Sequence, residues 1–375
     1  MNSEEQIEIE LLGPPSVESL NHHQRVIFAQ AWNDLVEDLR TKGKEPDENV
    51  GLAESNIRPT ARRIFQVFDF AWEDEFVLQL TPKVADEFLE GLKENSITRN
   101  DGLAYTDTSK RKFSNALESY FGIKNTEWTP PVKFVDELPQ LESDPFDRRE
   151  RELLFNTSLE FRKPPTYSNL STDERTRWKR YISQLEGIPL DEVSKEDWER
   201  LERSWKIPAI ISTTLDAGWR AAFFGRFLVD YVDLEKGEVH IPGHASVKND
   251  KNWDQVLSKR SVAILERWLK ERSLISKYDD SDLLFLNRNG NPYKSHTLNN
   301  LLNNLIEEAN IPTKGRKLTW HSIRHSTGMY VHEETQDLAM VAETLRQTSL
   351  ESARRYAHPT PESLRDTIEN IQNGM

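Results

Sequence analysis

The chain has 375 residues, 63 acidic against 49 basic side chains, a formal net charge of −14 and no cysteine. No cysteine means no disulfide framework and no thiolate metal site. No stretch approaches the ~18 consecutive apolar residues of a membrane span and no basic start leads into an apolar run, so the composition points to a cytoplasmic protein with no membrane partner and argues against a simple basic nucleic-acid binder.

Taken in chain order, residues 1–19 lack periodicity and read as an acidic, mobile tail. Phe28, Trp32, Leu35, Val36 and Leu39 then fall at i, i+4, i+7, i+8 and i+11, one face of an amphipathic helix. A second helix is predicted from about Arg58 to Trp72. A third opens at Thr81-Pro82, a cap residue followed by proline at the first helical position, and buries Val84, Phe88, Leu89 and Leu92. A fourth carries Phe113, Leu117, Tyr120 and Phe121 on one face. These four make a helical domain over 20–128 with no titratable cluster that suggests chemistry.

The stretch "TPPVKFVDELPQLESDP" breaks every period with its prolines and reads as an inter-domain linker over 129–145. Helical patterns resume near Phe146 and at "STDERTRWKRYISQLEG", where Ser171 and Glu174 are spaced as a capping box. The long apolar helix "IPAIISTTLDAGW" follows. The period then changes to two: "GEVHIPG" and "WDQVLS" are predicted to pair as a β-hairpin with "HASVKNDKN" at its tip. Helices return through "SVAILERWLKER", "HTLNNLLNNLIEEANI", "WHSIRHSTGMY" and "DLAMVAETLRQ". Last, Thr360 caps and Pro361 opens a helix whose Leu364, Ile368 and Ile371 form a narrow apolar stripe.

Four scattered features line up. "LDAGWR" places Arg220 just after a glycine that ends an apolar helix, and "SVKND" places Lys248 at a hairpin tip. "HSIRH" sets His321 and Arg324 at i and i+3 on one helical face. "LRQTSLESARRYAH" places Tyr356 thirty-two residues beyond Arg324, in a segment with few large apolar residues, which raises the question whether it is a packed ring or a hydroxyl held out for chemistry. Taken singly, each has a plainer reading: Arg220 a structural cap, Lys248 a solvated loop lysine, Arg324 a surface charge, Tyr356 a packed tyrosine with a satisfied hydroxyl. His321 and His325, four apart, also suit zinc, though no third ligand is evident.

In order and spacing these residues resemble the tyrosine recombinases, or phage integrases. That family's pattern has an arginine after a helix-ending turn, a β-hairpin lysine, H-x-x-R, then L-G-H with its histidine nine residues before the nucleophilic tyrosine. Arg220, Lys248, His321, Arg324 and Tyr356 fit it. Gln347 stands where the family usually has histidine, and its amide can still donate a hydrogen bond. Phe223 stands where the family often has glutamate, and Lys251 is close enough to Lys248 to compete for its assignment. The wording of several segments looks closest to integrases of haloarchaea and their viruses.

The resemblance implies an α+β fold, mainly α with a small β-sheet. A helical core-binding domain (20–128) would be followed by a catalytic domain (146–359) and a C-terminal helix (360–375) that docks in trans. It implies a site-specific recombinase acting through a 3′-phosphotyrosyl DNA intermediate without metal or cofactor. Its partners would be double-stranded DNA attachment sites and further copies of itself in a tetramer on DNA, with an accessory DNA-bending or excision factor. Two arginines suit the anionic phosphodiester because a planar fork bonds two phosphate oxygens at once. A phenol titrating near ~10 needs help to lose its proton, which His321 accepts or relays, while Lys248 protonates the leaving 5′-oxygen. Two other readings share these residues: a type IB topoisomerase, and an inactive DNA-binding regulator, for which Phe223 and Gln347 speak.

The acid is unevenly placed. Residues 1–150 hold 30 acidic and 17 basic side chains, and residues 151–375 hold 33 and 32. Such acid suits concentrated salt, where self-repulsion is screened, or simply an ordinary acidic surface.

Overall fold

A computed structural model describes residues 20–134, 143–201, 203–245 and 251–373. The predicted tail at 1–19 and the hairpin-tip residues 246–250, Lys248 among them, lie outside the described residues. The chain divides into two compact units at the 139/140 boundary.

The first unit is built on four helices: α1 (His22–Lys42), α2 (Glu54–Ala71), α3 (Pro82–Glu94) and α4 (Asp107–Ile123). Their starts follow local chemistry. Asn21 and Gln24 form a reciprocal capping box on α1, and Thr81 accepts from the Val84 amide at the head of α3. The predicted faces turn inward: Phe28, Trp32, Leu35 and Leu39 pack with Ile64, Phe65, Phe68, Phe88, Leu117 and Tyr120 in one core. At ~1.5–3 kcal/mol for each large side chain removed from water, this core holds the unit together. The Tyr120 hydroxyl accepts from the Leu80 amide at 2.9 Å, fixing the loop before α3. Trp128 and Phe134 also pack against this core, and the Trp128 indole donates to Asp86 at 2.9 Å. The start of the predicted linker therefore lies on the helical unit, because Phe134 among its prolines finds an apolar surface.

The second unit is mainly helical with one small sheet. Its helices are α5 (Arg148–Glu160), α6 (Thr172–Glu186), α7 (Lys195–Glu199), α8 (Lys206–Ala217), α9 (Lys259–Arg272), α10 (Ser295–Glu308), α11 (Trp320–Thr335), α12 (Leu338–Thr344), α13 (Leu350–Ala353) and α14 (Pro361–Asn373). The sheet is antiparallel with order β1 (Val232–Asp233), β2 (Glu238–Ile241), β3 (Trp253–Val256). β2 and β3 pair as the period-two pattern requires, with Val239 opposite Gln255 and Ile241 opposite Trp253. β1, two residues long, adds an edge that the sequence pattern did not foretell.

The apolar helix α8 is buried nearly all round and packs against α5, α9 and α11. Arg151 of α5 ties these elements together. It donates to the Leu215 carbonyl at 2.8 Å and to the Ser326 and Thr327 hydroxyls at 2.7 and 3.1 Å. The two helices that carry predicted site residues at or beyond their ends, α8 and α11, are thus held from behind by one guanidinium. No helix among the described residues is long and apolar enough to cross a membrane.

Candidate active site

Helix α8 stops at Gly218, whose φ of +56° is the left-handed conformation that a side chain disfavours. Space forbids a side chain there as well, since a Cβ would sit 2.8 Å from Leu345 Cδ2 and 3.3 Å from Arg324 Cγ. The sharp stop swings Trp219 into the core, where it is fully buried, and brings Arg220 to the start of a short 3-10 turn (Ala221–Gly225). Arg220 is half-buried at this turn.

Arg324 comes from the second turn of α11 and is 1% exposed. Its guanidinium donates to the Gly218 carbonyl at 2.8 Å and to the Leu345 carbonyl at 2.5 Å. One side chain therefore joins the end of α8 to the end of α12. Burial pushes Arg324 down to about 9; the positive Arg220 pushes the same way, and Tyr356 opposes both by charge and by a hydrogen bond. Arg220 is likewise lowered by burial, with Tyr356 again opposing. The structure thus gathers Arg220, Arg324 and Tyr356 from three distant segments.

Tyr356 itself is not held out in this structure. It is 1% exposed and packs with Met329, Val341, Ala342, Leu345 and Ala353 in a small cluster apart from the main core. The held-out reading failed because the apolar surface comes from α11 and α12, and the segment's own residues give little hint of it.

His321 lies at the start of α11, where Thr319 accepts from its amide at 3.2 Å. Its ring meets that of His325 edge-on, centroids 4.9 Å apart, and His325 in turn lies 5.8 Å from the Tyr356 ring. His325 is fully buried and neither ring nitrogen has a hydrogen-bond partner. Burial first, then the charges of His321, Arg355 and Arg324, push it down to about 3, so it is neutral at physiological pH. Among the described residues no group of three or more His, Cys, Asp or Glu is arranged to hold a metal.

Gln347 follows α12 with its side-chain oxygen buried and unpartnered, while its backbone N–H donates to the Ala342 carbonyl at 2.8 Å. Phe223 is buried and stacks on Trp219 at 4.9 Å, an apolar contact where the resemblance suggested a carboxylate. Lys251 is exposed at the edge of the hairpin tip. The start of β3 is fixed near the site, since the Trp253 indole donates to the Glu343 carbonyl of α12 at 3.1 Å.

Sequence reasoning missed Arg346. It is buried, takes φ of +50°, and lays its guanidinium over Trp219 at 4.1 Å and Phe223 at 5.5 Å. The signal was present in "LRQ", where an arginine fills the middle position of the resembling L-G-H box. A cluster of guanidinium groups near one phenol suits an anionic, doubly esterified phosphate and the charge that builds when it is attacked.

Residues 201–363 match the phage integrase family. The tyrosine recombinase XerC of Escherichia coli O127:H6 is 28% identical over 150 residues, 40% of this chain and 47% of that protein. XerC of Alcanivorax borkumensis is 25% identical over the same shares. The chain spans about half the length of the curated relatives it matches. Among solved structures, XerH site-specific recombinase in a post-cleavage complex with palindromic difH substrate superposes with TM-score 0.55 at 17% identity, covering 97% of this chain and 92% of that one. Its pre-cleavage complex gives 0.53 at 18%, covering 92% and 90%. This likeness shows a shared fold, mainly helical with a small three-stranded sheet.

Proposed function

With a phage integrase family domain over residues 201–363 as the premise, we propose that this chain is a site-specific DNA recombinase working through a 3′-phosphotyrosyl intermediate. The observation that carries the reading is the meeting of Arg220, Arg324 and Tyr356, drawn from three segments 136 residues apart at their extremes. Tyr356 Oη attacks phosphorus, and the bond to the 5′-oxygen breaks. Arg220 and Arg324 bind the non-bridging oxygens, whose charge grows as the tyrosyl–phosphorus bond forms. His321 takes the phenolic proton, Gln347 donates its amide hydrogen to the phosphate, and Lys248 returns a proton to the departing 5′-oxygen. The covalent ester conserves the bond energy, so rejoining needs no nucleotide or metal.

Residues 20–128 serve as the DNA-gripping core-binding domain, and 146–359 as the catalytic domain. Although the first unit is acidic as a whole, Arg58, Arg62 and Arg63 line one hollow with Tyr105, where Arg99 is paired with Asp101 at 2.7 Å, a basic spot fit for phosphates. Helix α14 supports self-association into a tetramer on DNA. Its Leu364, Ile368 and Ile371 are about half exposed, while only its first turn is tied down, Glu362 accepting from Tyr330 at 2.7 Å and from the Arg148 amide at 3.0 Å. The acidic balance favours a salt-adapted protein of the haloarchaeal kind acting on chromosome or plasmid in the cytoplasm. An accessory DNA-bending or excision factor would set direction.

Incubation with a nicked suicide substrate tests the reading. The parent should form a covalent protein–DNA adduct, and Tyr356→Phe should bind DNA with equal affinity but form none. An adduct in the Phe variant moves the nucleophile elsewhere. Relaxation of supercoils without strand exchange between two sites would replace recombination by topoisomerase action.

A further inference from the structure

Arg346 is a costly residue to keep where it is. Its backbone is left-handed at φ +50°, a conformation that favours glycine or asparagine, and its side chain is buried with 5% of its surface exposed. Burying a guanidinium beside others of like charge is unfavourable unless strong contacts or a bound anion offset it. Burial and the charges of Arg324 and Arg220 all push its proton affinity down, which places the three cations within electrostatic reach of one another.

Aromatic faces and a backbone clamp orient it. Trp219 and Phe223 are stacked at 4.9 Å and present ring faces to the guanidinium at 4.1 and 5.5 Å. Arg324, through its bonds to the Gly218 and Leu345 carbonyls, fixes the two segments on which Trp219 and Arg346 sit next in sequence. The planar cation is therefore oriented by aromatic faces on a rigid clamp. A cation so placed beside Arg220 and Arg324 converges on whatever anion those two bind.

We propose that Arg346 is a third arginine of the phosphate site, stacked on Trp219 and Phe223 and directed at a non-bridging oxygen of the scissile phosphodiester. This rests on the recombinase reading for the identity of the anion, but not for the existence of the anion site. It also gives Phe223 a purpose: a carboxylate at that position would neutralise the added cation, whereas a phenyl ring seats it. The third guanidinium supplies charge next to Gln347, which cannot carry any.

The test uses the full chain and the variant Arg346→Gly, whose residue relieves the left-handed backbone; Arg346→Asn, also tolerant of that backbone, is a second uncharged variant. Each is assayed on suicide DNA with either an ordinary scissile phosphodiester or a methylphosphonate, in which a methyl group replaces one non-bridging oxygen and removes the charge. Both variants should stay folded, at a lower melting temperature because a buried side chain and its ring contacts are lost, cut the phosphodiester about 10²–10³-fold more slowly, and recover most of that loss on the methylphosphonate. Equal cleavage of the phosphodiester by parent and variants overturns the proposal, as does a loss of equal size on both substrates, which marks Arg346 as a packing residue. Calorimetric titration with inorganic phosphate separates this inference from the reading beneath it. If the parent cuts no DNA yet binds phosphate more tightly than both variants, the recombinase reading fails and the anion site stands. Equal phosphate binding by all three chains, with no cleavage, sinks both.

Discussion

A Cβ at Gly328 would lie 2.9 Å from both Cδ1 and Cε1 of Tyr356, so the tyrosine ring is seated directly on the backbone of α11. Real Cβ atoms do not approach that closely, and the same Cβ would meet Leu345 Cδ1 at 2.8 Å. Helix propensity alone favours alanine over glycine here by ~0.5–1 kcal/mol; the overpacking cost of ~1–3 kcal/mol outweighs it. Gly328→Ala should therefore lower the melting temperature and slow covalent-adduct formation by ~10²-fold, the usual penalty of a misplaced reacting group. An adduct rate equal to the parent's would mean that the ring's seat has no part in cleavage.

Arg220→Ala and Arg324→Ala should differ although both remove a cation from the proposed phosphate site. Either should cost several orders of magnitude in cleavage, as loss of charge stabilisation does. Arg324→Ala also orphans the Gly218 and Leu345 carbonyls, a further loss of ~2–4 kcal/mol in stability. Denaturant melts should show a larger loss for Arg324→Ala than for Arg220→Ala. Equal stabilities would remove Arg324 from its bridging role.

Lys248→Ala should cut ordinary DNA poorly but recover on a substrate with sulfur at the 5′ bridging position, which departs without a proton. Should Lys251→Ala show that rescue instead, the general acid lies three residues further on, where the exposed Lys251 enters β3's approach.

His325 predicts a pH dependence of stability. Its folded-state pKa is about 3 against an ordinary 6.5, so between those values the unfolded chain binds a proton that the folded chain refuses. Its contribution is full above about pH 6.5 and is lost as pH falls toward 3, at ~1.4 kcal/mol per pH unit. Between pH 7 and pH 5 the parent should lose about 2 kcal/mol more than His325→Leu. Parallel urea-melt profiles for the two proteins over that interval would show that His325 titrates normally.

DNA affinity should fall gently with salt. A chain whose second unit carries nearly balanced charge and whose first is strongly acidic makes fewer net cation–phosphate contacts than a basic binder, and each contact adds ~0.9 to the logarithmic slope. A steep slope in salt titrations, typical of many released counterions, contradicts the salt-adapted reading.

Long regular patterns were readable because many residues vote for them. The α1 face from Phe28 to Leu39, the Thr81-Pro82 start of α3 and the Ser171–Glu174 box of α6 all appear as the sequence implied. β1 was not readable, since two residues cannot show an alternation. The meeting of Arg220, Arg324 and Tyr356 could be anticipated from motif order, but the burial of Tyr356 could not: the glycine that admits its ring stands twenty-eight residues earlier. Arg346 escaped notice for a similar reason. An arginine in a left-handed turn reads as a surface residue until the two aromatic rings beneath it, from another segment, are in view.

The tyrosine cluster of six apolar side chains, separate from the large core around α8, has a thermodynamic consequence. Regions held by few buried contacts open locally at far less free energy than global unfolding requires. The segment from α13 through Tyr356 can thus exchange its amide hydrogens and present its phenol while α5, α8, α9 and α10 stay protected. Exposure of the proposed nucleophile is then an equilibrium of one small foldon, adjustable by substitutions at Val341, Ala342 or Ala353 without disturbing the rest of the second unit.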